Sequence, residues 1–328
     1  MTPLTFTPHL RAQVWGGRRL ETVVGKPLPA DGLYGESWEI STQPLHISEA
    51  TSGPWAGRTL KEIFDQVSEL WQPVVQREDG AFPLLVKWLD CDAMLSVQVH
   101  PGDECARRLL NEASGKTEAW VVVHAEPTAK IYAGLKPGVD RAEVERRSAD
   151  GTVAECLHSF TPVRGDVIHI PAGTVHASGG GIVMAEVQQT SDATFRLFDW
   201  NRLGADGKPR QLHLAEALEC IDWNRGPVNP VARINLDGPC ESSITTVNAC
   251  PYFRFESMAV GREWINLPGD DMTIIMCLSG SLTIGDGEDA LTLETGAACL
   301  LPPNPAGWMA STDEGQYGRA LVVRVGRG

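Results

Sequence analysis

Positive charge is scarce in this sequence of 328 residues, because 28 Lys and Arg are outnumbered by 42 Asp and Glu and the formal net charge is −14. Nucleic acids and anionic membranes are bound by basic surfaces, so neither is an expected partner. An anionic ligand would need a local cluster of Lys and Arg inside a pocket, against the field of the whole protein.

Long apolar runs are also missing, and no stretch is long enough to span a bilayer. Residues 1–6 have neither the basic start nor the apolar run of a signal peptide. The eight cysteines include no Cys-x-x-Cys pair, which argues against a zinc knuckle or a thioredoxin-like motif. Cysteines scattered in this way indicate reduced thiols in a cytoplasmic protein, with a disulfide-bonded secreted protein as the alternative.

Short strands and turns, with 33 Gly and 22 Pro, indicate a mainly β protein. Helices are expected over 59–70, where Thr59 and Glu62 form a capping box, and over 103–113 and 140–157. From residue 231 onward, short strands at regular spacing are typical of a sandwich or jelly roll. We therefore predict two domains, 1–230 and 231–328. In the first, strands are expected at 83–89, 93–100, 119–124, 166–170 and 182–187.

The first motif that indicates chemistry is the alternating segment Leu95–Pro101. If it forms a strand, Ser96, Gln98 and His100 share one face. Three polar side chains inside a barrel would need a partner such as a metal ion, because unpaired buried polar groups are costly. Taken alone, the pattern is explained more simply by a half-exposed strand with its polar face in solvent.

The second motif spans Gly165–His176 and has the spacing Gly-x5-Pro-x-Gly-x2-His, which is that of the second conserved motif of the cupin superfamily. A hairpin with an incidental histidine explains it less well, because four residue types stand at fixed positions. The third motif is Lys116-Thr117-Glu118, in which Lys116 and Glu118 share a face if the segment is extended. This pair is either a surface ion pair of little energy or a carboxylate ligand beside a local cation.

These motifs and others, in the same order along the chain, resemble the type I phosphomannose isomerase family, a branch of the cupins, in its short bacterial form. The resemblance implies a cupin-like jelly-roll β-barrel with inserted helices, followed by a second, degenerate cupin-like β-domain. In that second domain Gly296–Pro302 repeats the Gly-x5-Pro spacing without a following histidine. The matching segments cover most of residues 1–230. They are Trp15–Gly17, Gly35–Trp38, Phe82–Lys87, Ser96–Pro101, Gly115–Glu118, Pro171–His176 and Ser191–Arg196.

The resemblance implies an aldose–ketose isomerase that interconverts mannose 6-phosphate and fructose 6-phosphate through an enediolate. It also implies one zinc ion per chain, although the ligand types alone would suit Fe(II), Mn(II) or Co(II) as well. The implied ligands are Gln98, His100, Glu118 and His176.

The resemblance implies that Lys87, Lys116, Asp192 and Arg196 line the pocket, and the predicted site residues divide into two overlapping sets. Catalysis is assigned to Arg196, Asp192 and Lys116, and substrate binding to Lys87, Ser96, Lys116 and Arg196. A phosphate dianion needs Arg or Lys for charge-assisted hydrogen bonds, and a lone Lys87 in an apolar strand must either reach solvent or face a polar cavity. A surface ion pair of Arg196 with Asp192 or Asp199 is the simpler alternative. The general base stays open among Lys116, Asp192, His100 and a water at the metal.

Two other functions fit a metal-binding cupin. One is a non-haem iron dioxygenase with a similar ligand set, and the other is a non-catalytic protein that binds a sugar phosphate. The expected partner is therefore a small sugar phosphate, and the sequence leaves the oligomeric state open.

Overall fold

The computed structural model describes residues 2–71, 81–204 and 206–326. Strands dominate these residues, as the sequence predicts. The N-terminal part contains β1 (His9–Gly17), β2 (Tyr34–Ile40), β3 (Thr42–Gln43), β4 (His46–Ile47), β5 (Leu84–Cys91), β6 (Val97–Val99), β7 (Glu118–Ala125), β8 (Lys130–Leu135), β9 (Leu157–Phe160), β10 (Asp166–Ile170), β11 (His176–Gly179), β12 (Ile182–Gln189), β13 (Phe195–Phe198) and β14 (Ala232–Arg233).

The C-terminal part of the described chain consists of strands without an intervening α-helix. They are β15 (Ser243–Ala249), β16 (Phe253–Val260), β17 (Ile265–Leu267), β18 (Thr273–Ile284), β19 (Leu291–Glu294), β20 (Ala298–Leu301), β21 (Trp308–Ser311) and β22 (Gly318–Val325). This pattern of short, closely spaced strands confirms the β-rich second half.

The α-helices of the described residues are α1 (Arg19–Val24), α2 (Leu60–Trp71), α3 (Asp103–Leu110), α4 (Arg141–Asp150) and α5 (Leu214–Cys220). The capping box of α2 is present, since the Thr59 amide donates to Glu62 Oε2 at 2.9 Å and the Glu62 amide to Thr59 Oγ1 at 3.2 Å. The predicted helix over 140–157 is too long. It ends at Gly151, whose φ of 78° is left-handed, and residues 153–156 form a 3₁₀ turn before β9.

Two antiparallel sheets form the barrel of the N-terminal half. One has the strand order β1-β2-β5-β12-β7-β10-β14 and the other β13-β6-β11-β8-β9. Their inner faces share an apolar cluster that includes Trp120 and Met184 from the first sheet and Ile131 and Ala133 from the second. The strand predicted over 93–100 is regular only over β6, because it lies in the shorter sheet and pairs with β13 and β11 over few residues.

The third large sheet belongs to the C-terminal half and has the order β15-β16-β22-β18-β21-β17, with β19 and β20 also paired to β18. Its interior is apolar and includes Trp308, which follows the Gly296–Pro302 segment, where no histidine like His176 of the first half is present. A larger apolar cluster joins the two halves, with Trp88 and Val121 on one side and Phe255 and Leu321 on the other. The division into domains 1–230 and 231–328 stays a prediction.

No helix among the described residues combines the length and the apolar composition that crossing a bilayer requires.

One cysteine pair corrects the expectation of reduced thiols throughout. Cys105 on α3 and Cys220 on α5 form a disulfide with a Cα–Cα distance of 6.3 Å, while the other six cysteines are free. The two residues are 115 positions apart in sequence, and they meet because α3 packs against α5, where Arg108 also pairs with Glu219. Spacing along the chain carries no signal for such a pair.

Replacing Cys105 with Ser should lower the free energy of unfolding by roughly 2–4 kcal/mol, because the cross-link restricts the unfolded chain. Urea unfolding under non-reducing conditions measures the change. Cys250→Ser is the control, since this thiol is free and its Sγ lies 3.5 Å from the Phe253 carbonyl oxygen. A wild-type unfolding midpoint that did not respond to a dithiol reductant would contradict the cross-link.

Candidate active site

Sheet register aligns three of the predicted site residues across the shorter sheet. Arg196 on β13 pairs with Gln98 on β6, and Gln98 pairs with His176 on β11. Residues directly opposite each other in an antiparallel ladder lie on the same face. All three side chains therefore point into the barrel, although they come from distant parts of the sequence.

The four predicted metal ligands lie together and are buried. His100 Nε2 is 3.5 Å from Glu118 Oε2, and His176 Nε2 is 3.2 Å from Glu118 Oε1. Gln98 Nε2 lies 3.2 Å from His176 Nε2 and 3.4 Å from His100 Nε2. One ligand atom each from His100, Glu118 and His176 falls within 4.8 Å of the others, which is close enough for one ion.

Hydrogen bonds on the far side of each imidazole fix its orientation. His100 Nδ1 lies 2.8 Å from the Ala193 carbonyl oxygen, and His176 Nδ1 lies 2.9 Å from that of Thr174. A carbonyl accepts a hydrogen bond, so each Nδ1 carries a proton and donates it, which leaves each Nε2 on the side that faces Glu118. Such second contacts are typical of histidines that bind metals.

The turn that delivers His176 depends on a glycine. Gly173 has a φ of 83°, and a Cβ atom there would lie 3.0–3.1 Å from Asp222 and Cys220. Its amide donates to the carbonyl oxygen of His100 at 2.9 Å. The turn of the second sequence motif is therefore tied directly to the strand of the first.

The protonation states of His100 and Glu118 suit the binding of a cation. Burial, together with the Lys116 ammonium, lowers the pKa of His100 to about 4, so its imidazole is neutral at pH 7. Burial alone would raise the pKa of Glu118, but Lys116 and His100 outweigh it and hold that pKa well below its usual value. Both Glu118 oxygens are buried without a well-aligned hydrogen bond. The neutral imidazole of His100 and the ionised carboxylate of Glu118 therefore fit a divalent metal ion.

The predicted substrate-binding lysines lie in ion pairs around this cluster. Lys116 Nζ is 3.2 Å from both Glu118 Oε2 and His100 Nε2. Lys87 is 3% exposed and does not reach solvent. Its Nζ lies 3.2 Å from Glu186 Oε1 and 3.6 Å from Glu36 Oε2. Burial lowers the pKa of Lys87, but these two carboxylates outweigh it and raise that pKa above its usual value.

Glu186 is a buried carboxylate that sequence analysis missed. Its Oε2 accepts a hydrogen bond from Trp120 Nε1 at 2.9 Å, and its Oε1 contacts Lys87. Burial, despite Lys87, raises its pKa above the usual value for glutamate. Glu36 was also missed, although it lies within the matching segment Gly35–Trp38.

Arg196 makes neither of the ion pairs that were its simpler explanation. Asp199 instead accepts hydrogen bonds from Arg202 and Arg210, and Asp192 pairs with Arg11. Arg196 Nε is buried without a hydrogen-bond partner, and burial together with Arg210 lowers the pKa of this guanidinium. Within the described residues, Arg196 is therefore a pocket guanidinium without a carboxylate partner of its own.

A cavity of about 300 Å³ connects these groups, a size in the range of small-molecule sites. Every predicted site residue except His100 and His176 lines it directly, Ser96 included. Ser96 Oγ donates to Gln98 Oε1 at 3.0 Å. The cavity wall also contains residues that the sequence analysis did not select: Arg11, Gln13, Glu36, Glu186 and Arg210. Arg210 stands outside every recognised motif, so the sequence offered no signal for it.

Comparisons with known proteins agree on one family. Residues 4–119 match the family model for the catalytic domain of type I phosphomannose isomerase. A mannose-6-phosphate isomerase of Bacillus subtilis is 34% identical over 307 residues, which is 92% of this chain and 93% of the relative. A mannose-6-phosphate isomerase of Streptococcus mutans is 29% identical over 95% of this chain and 96% of the relative.

The fold agrees as well. The crystal structure of a mannose 6-phosphate isomerase from B. subtilis superposes with a TM-score of 0.85 at 27% identity, covering 98% of this chain and 99% of that one. The structure of a putative mannosephosphate isomerase from Archaeoglobus fulgidus superposes with a TM-score of 0.74 at 20% identity, covering 99% of this chain and 98% of that chain, which shows the fold alone. The predicted cupin-like fold is thereby confirmed.

Glu118→Gln should weaken binding of a divalent metal by roughly 100-fold or more, because even residues that only support ligands contribute 10–100-fold. Elemental analysis after dialysis against a competing chelator measures retention. Glu104→Gln, an exposed acid on α3, is the matched control and should retain metal like the wild type. Equal retention by Glu118→Gln, with an unchanged circular dichroism spectrum, would contradict the site.

Proposed function

The chain belongs to the type I phosphomannose isomerase family, and we propose that it is a zinc-dependent mannose-6-phosphate isomerase acting through an enediolate. The observation that carries this proposal is a cavity lined both by Glu118 of the buried His-Glu-His cluster and by the Arg196 guanidinium, which has no ion pair of its own. The 34% identical relative supports the substrate, because the similarity extends over 92% of this chain.

The proposed zinc ligands are His100, Glu118, His176 and Gln98. The amide nitrogen of Gln98 faces the imidazoles in the structure. A 180° turn of this amide would present its oxygen to the ion and leave its nitrogen to donate to Ser96. A bound zinc would supply Lewis-acid stabilisation of the negative charge that develops on the sugar oxygens.

Moving a proton between C1 and C2 of the sugar needs a general base that can reach the substrate. We assign this role to Asp192, which lines the cavity and is 28% exposed. Burial raises its pKa, but Lys87, Lys116 and Arg11 outweigh burial and lower that pKa, so the group is ionised at pH 7. Glu186 is a poorer candidate, because Trp120 and Lys87 already occupy its oxygens.

The phosphate is proposed to bind at the arginine end of the cavity. Arg196 and Arg210 line that end, and Arg202 stands nearby, bonded to the Asp199 carboxylate that Arg210 also binds. These guanidinium groups outnumber the carboxylate that they bind, which suits a phosphate dianion. Binding energy from the phosphate would then hold the reacting carbons near the proposed metal ligands.

Lys87 and Lys116 suit a different task from phosphate binding. Both are buried and neutralised by Glu36, Glu186 or Glu118. Because their charges are already paired, they are poorly suited to a phosphate dianion. Their ammonium groups would instead stabilise the smaller negative charge on the enediolate oxygens.

Residues 1–230 would form the catalytic domain and 231–328 a supporting domain, which contacts the first through a hydrogen bond from Tyr252 to Asp103.

A cytoplasmic location is proposed because a doubly charged sugar phosphate does not cross a bilayer unaided. The Cys105–Cys220 disulfide is unusual for that compartment.

An isomerase assay that couples fructose 6-phosphate to a spectrophotometric readout tests the proposal. We expect turnover of mannose 6-phosphate by the purified chain, a loss of roughly 100-fold or more after chelation, and recovery with zinc. Stoichiometric iron with oxygen uptake would instead support a dioxygenase. Binding of the sugar phosphate without turnover would support a non-catalytic protein.

Arg196→Gln should lower kcat/KM for mannose 6-phosphate by roughly 100-fold, since a charge-assisted contact to phosphate is lost. The same change should have little effect on any turnover of unphosphorylated mannose, so a preference for the phosphorylated sugar should collapse. Arg164→Gln is the control, because this half-buried arginine pairs with Asp237 and donates to the Val123 carbonyl oxygen, away from the cavity. Full activity in Arg196→Gln would remove Arg196 from the mechanism.

A further inference from the structure

Arg11 enters the site from the edge of the larger sheet. It lies on β1 opposite Glu36 on β2, and both side chains line the cavity. The next residues of β1 depart from regular pairing, with a register shift between Arg11 and Ala12. The first strand therefore brings a cation to the mouth of the site and does more than extend the sheet.

One nitrogen of Arg11 joins two carboxylates. Its Nη1 lies 3.3 Å from Asp192 Oδ2 and 3.5 Å from Glu36 Oε2. The guanidinium carbon stands 4.6 Å from the centre of the Trp38 ring, in a cation–π arrangement. Two contacts with β2, through Glu36 and Trp38, and one with Asp192 on a distant segment hold this side chain in place.

Asp192 depends on this contact for its orientation. Among the residues that the structure describes, only Arg11 donates a side-chain hydrogen bond to the Asp192 carboxylate. Lys87 and Lys116 act on Asp192 through charge without a hydrogen bond. Removal of Arg11 would leave the carboxylate free to rotate between these two ammonium groups and solvent.

We propose that Arg11 is a positioning residue, which aims the Asp192 carboxylate into the cavity and keeps it in place during turnover. This inference rests on the proposed function, in which Asp192 accepts the substrate proton. The guanidinium does not itself need to touch the substrate.

A purely structural ion pair is the competing explanation. Arg11 and Asp192 have exposed side-chain fractions of 26% and 28%, and pairs this exposed contribute little to stability. Replacing Arg11 should therefore leave the fold intact while disturbing the site. Arginine suits the position better than lysine, because a planar guanidinium can stack on Trp38 and bond to carboxylates at the same time.

The charges around Asp192 set the expected pH dependence. It is influenced by Arg11 from β1, Lys87 from β5, Lys116 from the segment before β7 and Arg196 from β13. Loss of Arg11 removes one positive charge, so the pKa of Asp192 rises and the carboxylate becomes protonated at a higher pH. The acidic limb of the activity profile should move upward by about one pH unit, the lower end of such charge effects for a partly exposed pair.

Arg11→Gln, Arg11→Lys and Asp192→Asn test this inference in the full-length enzyme. With mannose 6-phosphate, Arg11→Gln should lower kcat by about 10–100-fold, with KM within about threefold and the acidic limb displaced upward. Arg11→Lys should recover at least about half of that loss on a logarithmic scale, because it restores charge without the planar group. Adding Arg11→Gln to Asp192→Asn should cause little further loss. Arg18→Gln, an arginine that pairs with Glu21 at the surface, is the control.

An Arg11→Gln profile that superimposes on the wild type, or a change confined to KM, would overturn the inference. Failure of the proposed function is recognised separately, as absence of isomerase activity in the wild type. In that case carbon-13 NMR titration of the Asp192 carboxyl group, compared between wild type and Arg11→Gln, still tests the contact without turnover. An unchanged titration would overturn it there too.

Discussion

The buried carboxylate of Glu118 is the constraint on which the rest of the site depends. It is 1% exposed, and a buried charge must be compensated. Two imidazoles and the Lys116 ammonium lie within 3.5 Å of its oxygens. The strands that carry these groups must therefore meet at one point, which fixes the relative position of the two sheets of the barrel.

Charge is distributed unevenly along the cavity. Near Glu118, lysines and carboxylates alternate and largely neutralise each other through pairs such as Lys87 with Glu186. Around Arg196, guanidinium groups outnumber carboxylates. A protein with a net charge of −14 thereby keeps a local positive region for an anionic ligand. The two ends together suit a molecule with a polar reacting end and a charged anchor.

Much of the fold and of the predicted metal-ligand set could be predicted from the sequence. The alternation in Ser96-Val97-Gln98-Val99-His100 and the fixed spacing of the motif that ends at His176 predict a strand face and a turn, which depend on short-range backbone geometry. The C-terminal limit of α4 and the regular length of β6 were predicted less well. Gly151 ends the helix by adopting a left-handed conformation, and the number of residues paired in β6 depends on its neighbours in the sheet.

The sequence by itself determined the residue types of the site, their segments and the face on which each side chain lies, because these follow from local backbone geometry. Only the tertiary structure decided the partners. Arg11 contacts Asp192 across 181 residues of sequence, and Cys105 bonds to Cys220 across 115. Arg196 has no ion pair with Asp199, because Arg202 and Arg210 pair with that carboxylate. Such contacts are set by how sheets and helices pack, and packing joins residues whose separation along the chain carries no information about distance.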